Sequence, residues 1–162
     1  MDRNLARERL VTWLKDIHAV ESALETCIEK QVNHAQHDAL LRERLEQHRD
    51  ETRNHAALVE RALDRYGEEP STIKDAGGRA ETMVGEWIHG AAGDTLIKDV
   101  LLGVAAEHYE IACYRALKSA AAALGDEETA VMCDRIIDDE IDMAKFLESQ
   151  LGRVTEMELE AA

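Results

Sequence analysis

Glutamates recur in this sequence at positions where a helix would turn them inward. The neighbours of Glu110 at three and four residues are Ala106, Glu107, Cys113 and Tyr114, with Gly103 and Leu117 one turn further out. Residues at those spacings share one face of a helix. An ionised carboxylate in such an apolar stripe is costly unless it is paired, protonated or bound to a metal. The pattern repeats elsewhere. Leu10, Leu14, Ile17, Leu24 and Ile28 run at steps of three and four, with Glu21 between Ile17 and Leu24. Cys133, Ile136, Ile137, Met143 and Leu147 form a stripe interrupted by Glu140, and Leu41, Leu45, His48, His55 and Val59 form another with Glu51 at its edge.

Thirty residues separate Glu21 from Glu51, and thirty separate Glu110 from Glu140. Each pair fits one antiparallel helical hairpin with its carboxylates at matching heights. The two hairpins form a weak internal repeat offset by 89 residues. A pseudo-twofold bundle would bring the four carboxylates to one level. Bundle cores that hold two iron or manganese ions use an inward Glu from each of four helices, with histidines on two of them. Hard carboxylate oxygens offset the metal charge, and imidazole suits Fe(II). The metal-ligand candidates are therefore Glu21, Glu51, Glu110 and Glu140, with His55 one turn after Glu51 and Glu107 one turn before Glu110. His48, three residues before Glu51, reads either as a polar partner behind a ligand or as a plain polar contact.

The elements that must position these residues are long helices. A single proline, nine glycines and sparse aromatics argue against sheet, and the abundant Ala, Leu, Glu and Arg are strong helix formers. At 162 residues the chain reads as one domain, residues 1–162, with enough length for a full core. The first helix is expected over residues 4–34, a polar turn at 34–37, and the second helix from Asp38 to Tyr66, stopped by Gly67. A long crossover interrupted by glycines, with a short helix at 79–89, carries the chain to a second hairpin. Asp94 is expected to cap the third helix and Asp126 the fourth, with Glu127 and Glu128 favoured in its first turn. The acidic tail after Gly152 is expected to fray or to pack on a partner.

A formal charge of −15 argues against binding nucleic acid through phosphate contacts, which needs clustered cations. No apolar run approaches the roughly 20 residues of a membrane span, and no signal peptide is visible. The cysteines Cys27, Cys113 and Cys133 are widely spaced and odd in number, so they read as reduced core residues of a cytoplasmic protein. Tyr109 and Tyr114 read as packing residues, Trp13 and Trp87 as packing or dimer contacts, and His89 and His108 as surface groups.

The segment from Val104 to Ala112, centred on Glu107-His108-Tyr109-Glu110-Ile111-Ala112, resembles the third-helix signature of the YciF-like stress proteins (DUF892) of the ferritin-like superfamily. Asp16 followed by Glu21, the run His48-Arg49-Asp50-Glu51-Thr52, and Asp138-Asp139-Glu140 are similar to that family's other three helices. The resemblance covers residues 8–151. It implies an all-α, ferritin-like four-helix bundle of two antiparallel hairpins, often dimeric, with a dinuclear metal centre. The chain departs from the family pattern in carrying His55 in place of Gln, Ala144 in place of an Asp, and His18 in place of a Tyr.

The leading expectation is a dinuclear iron or manganese protein, a homodimer or higher homo-oligomer, acting on O2 or peroxide under stress. The alternative is a non-catalytic acidic helical module for partner binding or assembly. Iron storage would require a hollow shell.

Overall fold

The computed structural model describes residues 2–70 and 95–161. Four helices make up these residues: α1 (Arg3–His34), α2 (Ala39–Tyr66), α3 (Leu96–Leu124) and α4 (Glu127–Ala161), with a short 3₁₀ turn at Ala35–His37 between the first two. The expected short helix at 79–89, Asp94, Trp87 and His89 all lie outside the described residues.

Local chemistry sets each boundary. Asp2 accepts hydrogen bonds from the backbone N–H groups of Asn4 and Leu5 at the start of α1, and Asp38 accepts from Leu41 at the start of α2. α2 ends at Gly67, whose φ of 73° lies in the left-handed region that glycine enters without cost. Asp126 caps α4 by accepting from the Thr129 N–H at 3.0 Å. The N-cap position of α3 is Thr95, whose side chain makes no capping bond. The capping role falls instead to the far end of the bundle, where Glu158 accepts from the Leu96 N–H at 2.7 Å.

That contact corrects the expectation that the tail frays. α4 continues unbroken to Ala161, because Val154 is fully buried and the Arg153 guanidinium lies 2.6 Å from the Asp38 carboxylate. The tail packs on its own bundle.

The hairpins α1–α2 and α3–α4 hold the most extensive contacts, α1 packs along α3, and the α2–α4 seam is the sparsest of the four. Gly103 permits close approach within the second hairpin, since a Cβ there would stand 2.7 Å from Leu147 Cδ1. Buried apolar residues fall into two separate clusters. One contains Leu14, Leu63, Leu117 and Ile136; the other contains Ile28, Leu45, Val100 and Leu147. Between them lies a buried polar layer, where the carboxylates stand. No described helix is long and apolar enough to cross a membrane.

Candidate metal centre

Each helix presents a seam of positions alternating by three and four residues, as a bundle requires. On α1 the seam runs through Leu14, Ile17, Glu21, Leu24 and Ile28; on α3 through Gly103, Glu107, Glu110, Tyr114 and Leu117; on α4 through Ile136, Glu140, Met143 and Leu147. Glu21, Glu107, Glu110 and Glu140 are accordingly buried at the level between the two apolar clusters. On α2 the seam is Leu41, Leu45, His48, Thr52, His55 and Val59, all buried. Glu51 lies one position off it and is partly exposed.

Two donor groups result. Glu21, His55 and Glu140 bring ligand atoms within 4.8 Å of one another, and so do His48, Glu107 and Glu140. Glu140 belongs to both. Its Oε1 lies 2.9 Å from His55 Nδ1, and its Oε2 lies 3.8 Å from His48 Nε2. Glu107 Oε1 stands 3.1 Å from His48 Nε2, and Glu21 Oε1 stands 3.9 Å from His55 Nδ1.

The far nitrogens of both histidines are held by carboxylates. His48 Nδ1 meets Glu51 Oε2 at 3.2 Å, and Glu51 is itself fixed by Arg44 at 2.9 Å and Gln47 at 2.7 Å. His55 Nε2 meets the half-exposed Asp139 at 3.1 Å. The two rings thus turn opposite nitrogens inward, Nε2 for His48 and Nδ1 for His55. A carboxylate behind an imidazole fixes its tautomer and orientation.

Of the six residues singled out from sequence, the structure gathers Glu21, His55, Glu107 and Glu140 into these groups. Glu110 is buried beside them with Oε1 lacking a hydrogen-bond partner. Glu51 is placed outside, behind His48. His18 also points away, its Nε2 2.9 Å from Glu60, and His108 is an exposed group pairing with Glu148. Two residues were under-read: His48, which occupies a place in the cluster, and Tyr114, whose hydroxyl donates to Glu21 Oε1. The seam spacing carried a signal for both.

Burial dominates the electrostatics. It pushes Glu21 up to about 7, against the pull of His55, and Glu107 up to about 8, against that of His48. Glu110 is raised well above the carboxylate range by burial and then by Glu21, Glu140 and Glu107. Glu140 goes the other way, because contacts with His55 and Glu107 and the charge of His48 outweigh its burial. Desolvation alone would depress both histidines, yet Glu107 and Glu51 lift His48 to about 10 and Glu140, Glu21 and Asp139 lift His55 to about 9. The His48 bond holds Glu51 at about 2, aided by Arg44 and opposed by partial burial.

These shifts set a pH dependence for the metal-free protein. Stability from the raised carboxylates is complete below their ordinary 4.5 and is lost as pH rises through about 7 and 8. Stability from the raised histidines is complete below 6.5 and is lost through about 9 and 10. Glu51 contributes above 4.5 and loses its contribution as pH falls through about 2. Metal-free protein should therefore melt highest near pH 5 and progressively lower toward pH 9, as thermal melts across that range would show. A flat profile would mean that the cluster does not titrate as described.

The buried donors fit metal ions better than they fit one another. Glu21 Oε2, Glu107 Oε2, Glu110 Oε1, both Glu140 oxygens and His55 Nδ1 lack an aligned hydrogen bond, although His55 Nδ1 and Glu140 Oε1 are only 2.9 Å apart. Atoms bound at about 2.1 Å to one octahedral ion stand about 3 Å from each other; each histidine has one carboxylate oxygen at that spacing, at 2.9 and 3.1 Å, and a second at 3.8–3.9 Å. Four carboxylates also balance two divalent ions with neutral imidazoles.

A family described as a domain of unknown function, DUF892, matches residues 5–160. The chain belongs to that family. A crystal structure of a Xanthomonas campestris protein, 34% identical over 97% of both chains, superposes with a TM-score of 0.83. The Escherichia coli stress protein YciF is 17% identical, with a TM-score of 0.75 over 93% of this chain and 97% of its own. A dodecameric thioferritin from Bacteroides fragilis, 15% identical, gives 0.73 over 94% and 90%. The two distant structures establish that this DUF892 chain has the ferritin-like bundle fold.

Proposed function

We propose that this DUF892 protein binds two iron or manganese ions in the buried polar layer and uses them in redox chemistry with O2 or peroxide. One observation carries the reading: Glu140 turns one oxygen to each of two histidine–carboxylate groups. Glu21 and His55 would hold one ion, His48 and Glu107 the other, and Glu140 both. Glu110, buried within electrostatic reach of Glu21, Glu140 and Glu107, would supply a further carboxylate. Glu51 and Asp139 would orient the imidazoles, and Tyr114 would orient Glu21. When bound, such ions would supply the electrons and the Lewis acidity for that chemistry. The protein's part is to fix the donors, exclude bulk water and give up protons from Glu107, Glu110 and the histidines as metal enters.

The name of the E. coli structure supports a role in stress, and the dodecameric thioferritin supports homo-oligomeric assembly, as a dimer or larger. The test is elemental analysis of protein purified without chelators and of chelated protein reconstituted anaerobically. About two Fe or Mn per chain are expected, and well under one by both routes rules out the dinuclear reading. The competing reading, an acidic helical module without catalysis, would then stand.

His55→Ala should weaken one position and spare the other, giving about one ion per chain with the bundle still folded. Metal titration followed by circular dichroism decides this, and unchanged affinity at both positions would show His55 to be a bystander.

A further inference from the structure

The metal layer is approached from two chemically different sides. On the sparse α2–α4 side, the half-exposed carboxylate of Asp139 stands directly before His55. On the α1–α3 side the approach is mostly apolar, with Gln31 lining the inner part and Asp16 the outer. An inner cavity of about 30 Å³ lies between these helices, walled by Val20, Leu24 and Ala106 and reaching His48, Glu107 and Glu110 at its inner end. An outer cavity of about 180 Å³ continues along the same seam past Trp13 and Leu117. The two share Val20 and Tyr109 as walls.

We propose that this α1–α3 seam is a binding site and entry path for molecular oxygen, leading to the carboxylates of Glu107 and Glu110. The inference rests on the dinuclear reading and adds to it the route and the kind of oxidant. Three physical points carry it. The inner cavity is large enough for two or three water-sized molecules, since each needs roughly 10–15 Å³ of this space. Its largely apolar walls accept an uncharged diatomic, whereas a hydrated cation or anion would lose most of its water without replacement, the Gln31 amide being committed to the Asp99 carbonyl. Its inner end is formed by the buried donors themselves, and Ala106 sits one helical turn from Glu110 on the same face. The polar Asp139 side, by contrast, offers an ion a ligand at the surface. Oxidant and metal would arrive from opposite faces of the bundle.

Xenon, an apolar atom that stands in for O2, tests the site without any turnover. Crystals of the protein as isolated, and again after chelation, would be pressurised with xenon. Density is expected against Val20, Leu24 and Ala106 in both. Ala106→Leu should fill the inner cavity and remove that density, and Val20→Phe narrows the shared wall from the other helix should Ala106→Leu fail to fold. In the folded variants, Fe(II) loaded anaerobically should match wild-type stoichiometry, its oxidation by O2 should slow several-fold, and its oxidation by ferricyanide should keep the wild-type rate. Xenon found only in the α2–α4 groove, or nowhere, overturns the path. So does an unchanged O2 rate in a variant whose cavity is filled, or an equal slowing with both oxidants. Failure of wild-type protein to take up metal is a separate result, and it removes the dinuclear reading itself.

Discussion

Glu110→Gln is expected to melt, without metal, at or above the temperature of the wild-type chain, and to lose most of the rise that metal confers. Burial and three neighbouring carboxylates raise Glu110 well above the ordinary carboxylate range, so glutamine mimics the protonated form that this site favours and removes the penalty of ionisation. In linkage terms, a carboxyl with a raised pKa contributes stability that is complete below 4.5 and lost as pH rises through its folded value. The substitution removes that loss and flattens the metal-free pH profile. Free metal at a hundredfold over its dissociation constant adds about 2.7 kcal/mol per position, or roughly 5–11 °C for a chain of this size. Thermal melting of both proteins with and without Mn(II), or Fe(II) under anaerobic conditions, reads both effects. Should the variant unfold without metal, Glu110 is a structural hydrogen-bonding partner and its assignment as a metal donor fails.

Glu140→Gln is expected to do the reverse. Among the four buried glutamates of the layer, Glu140 alone has a lowered pKa, and it faces both histidines. Neutralising it leaves two buried imidazolium groups short of a partner. Removing one side of a buried ion pair costs roughly 3–5 kcal/mol, so the metal-free variant should melt well below wild type. It should also lose both metal equivalents together, where His55→Ala loses one. A Glu140→Gln protein that still holds one ion per chain would show that the carboxylate is not shared. The pair of variants separates two kinds of buried glutamate: one is a burden on the metal-free fold, the other a support.

The four helices were legible because their seams alternate strictly by three and four residues, and nothing in the tertiary structure overrides that pattern. The inward carboxylates on α1, α3 and α4 were legible for the same reason, since Glu21, Glu107, Glu110 and Glu140 fall on the seam itself. On α2 the matched spacing of thirty residues favoured Glu51, which the structure places against the outer nitrogen of His48. The seam passes through Thr52 and turns Glu51 toward Arg44 and Gln47 at the edge. The stripe through Leu41, Leu45, His48, His55 and Val59 already set both histidines inward with Glu51 at its edge, and the matched spacing alone ranked Glu51 above His48. The repeat was also taken as more symmetric than it is. Its offset aligns His18 with Glu107 and His55 with Ala144, so each hairpin brings donors where the other has none. Two further features depended on contacts between distant segments. Glu158 reaches the start of α3, and Val154 is buried in the tail; an acidic, polar stretch gives little local sign of either.

The shared position of Glu140 also fixes when the centre can form during synthesis. A ribosome delivers α1 and α2 first, and with them Glu21, His48 and His55, but neither donor group is whole without a residue from the last helix. A nascent first hairpin therefore offers a passing ion only Glu21 beside His55, with His48 in the other group and no carboxylate common to both, a poor trap. Only when α4 docks do both groups close, and they close together. On the dinuclear reading, capture of an ion would thereby wait for α4 to dock, and a half-made chain would not hold a redox-active metal exposed to solvent and oxidant.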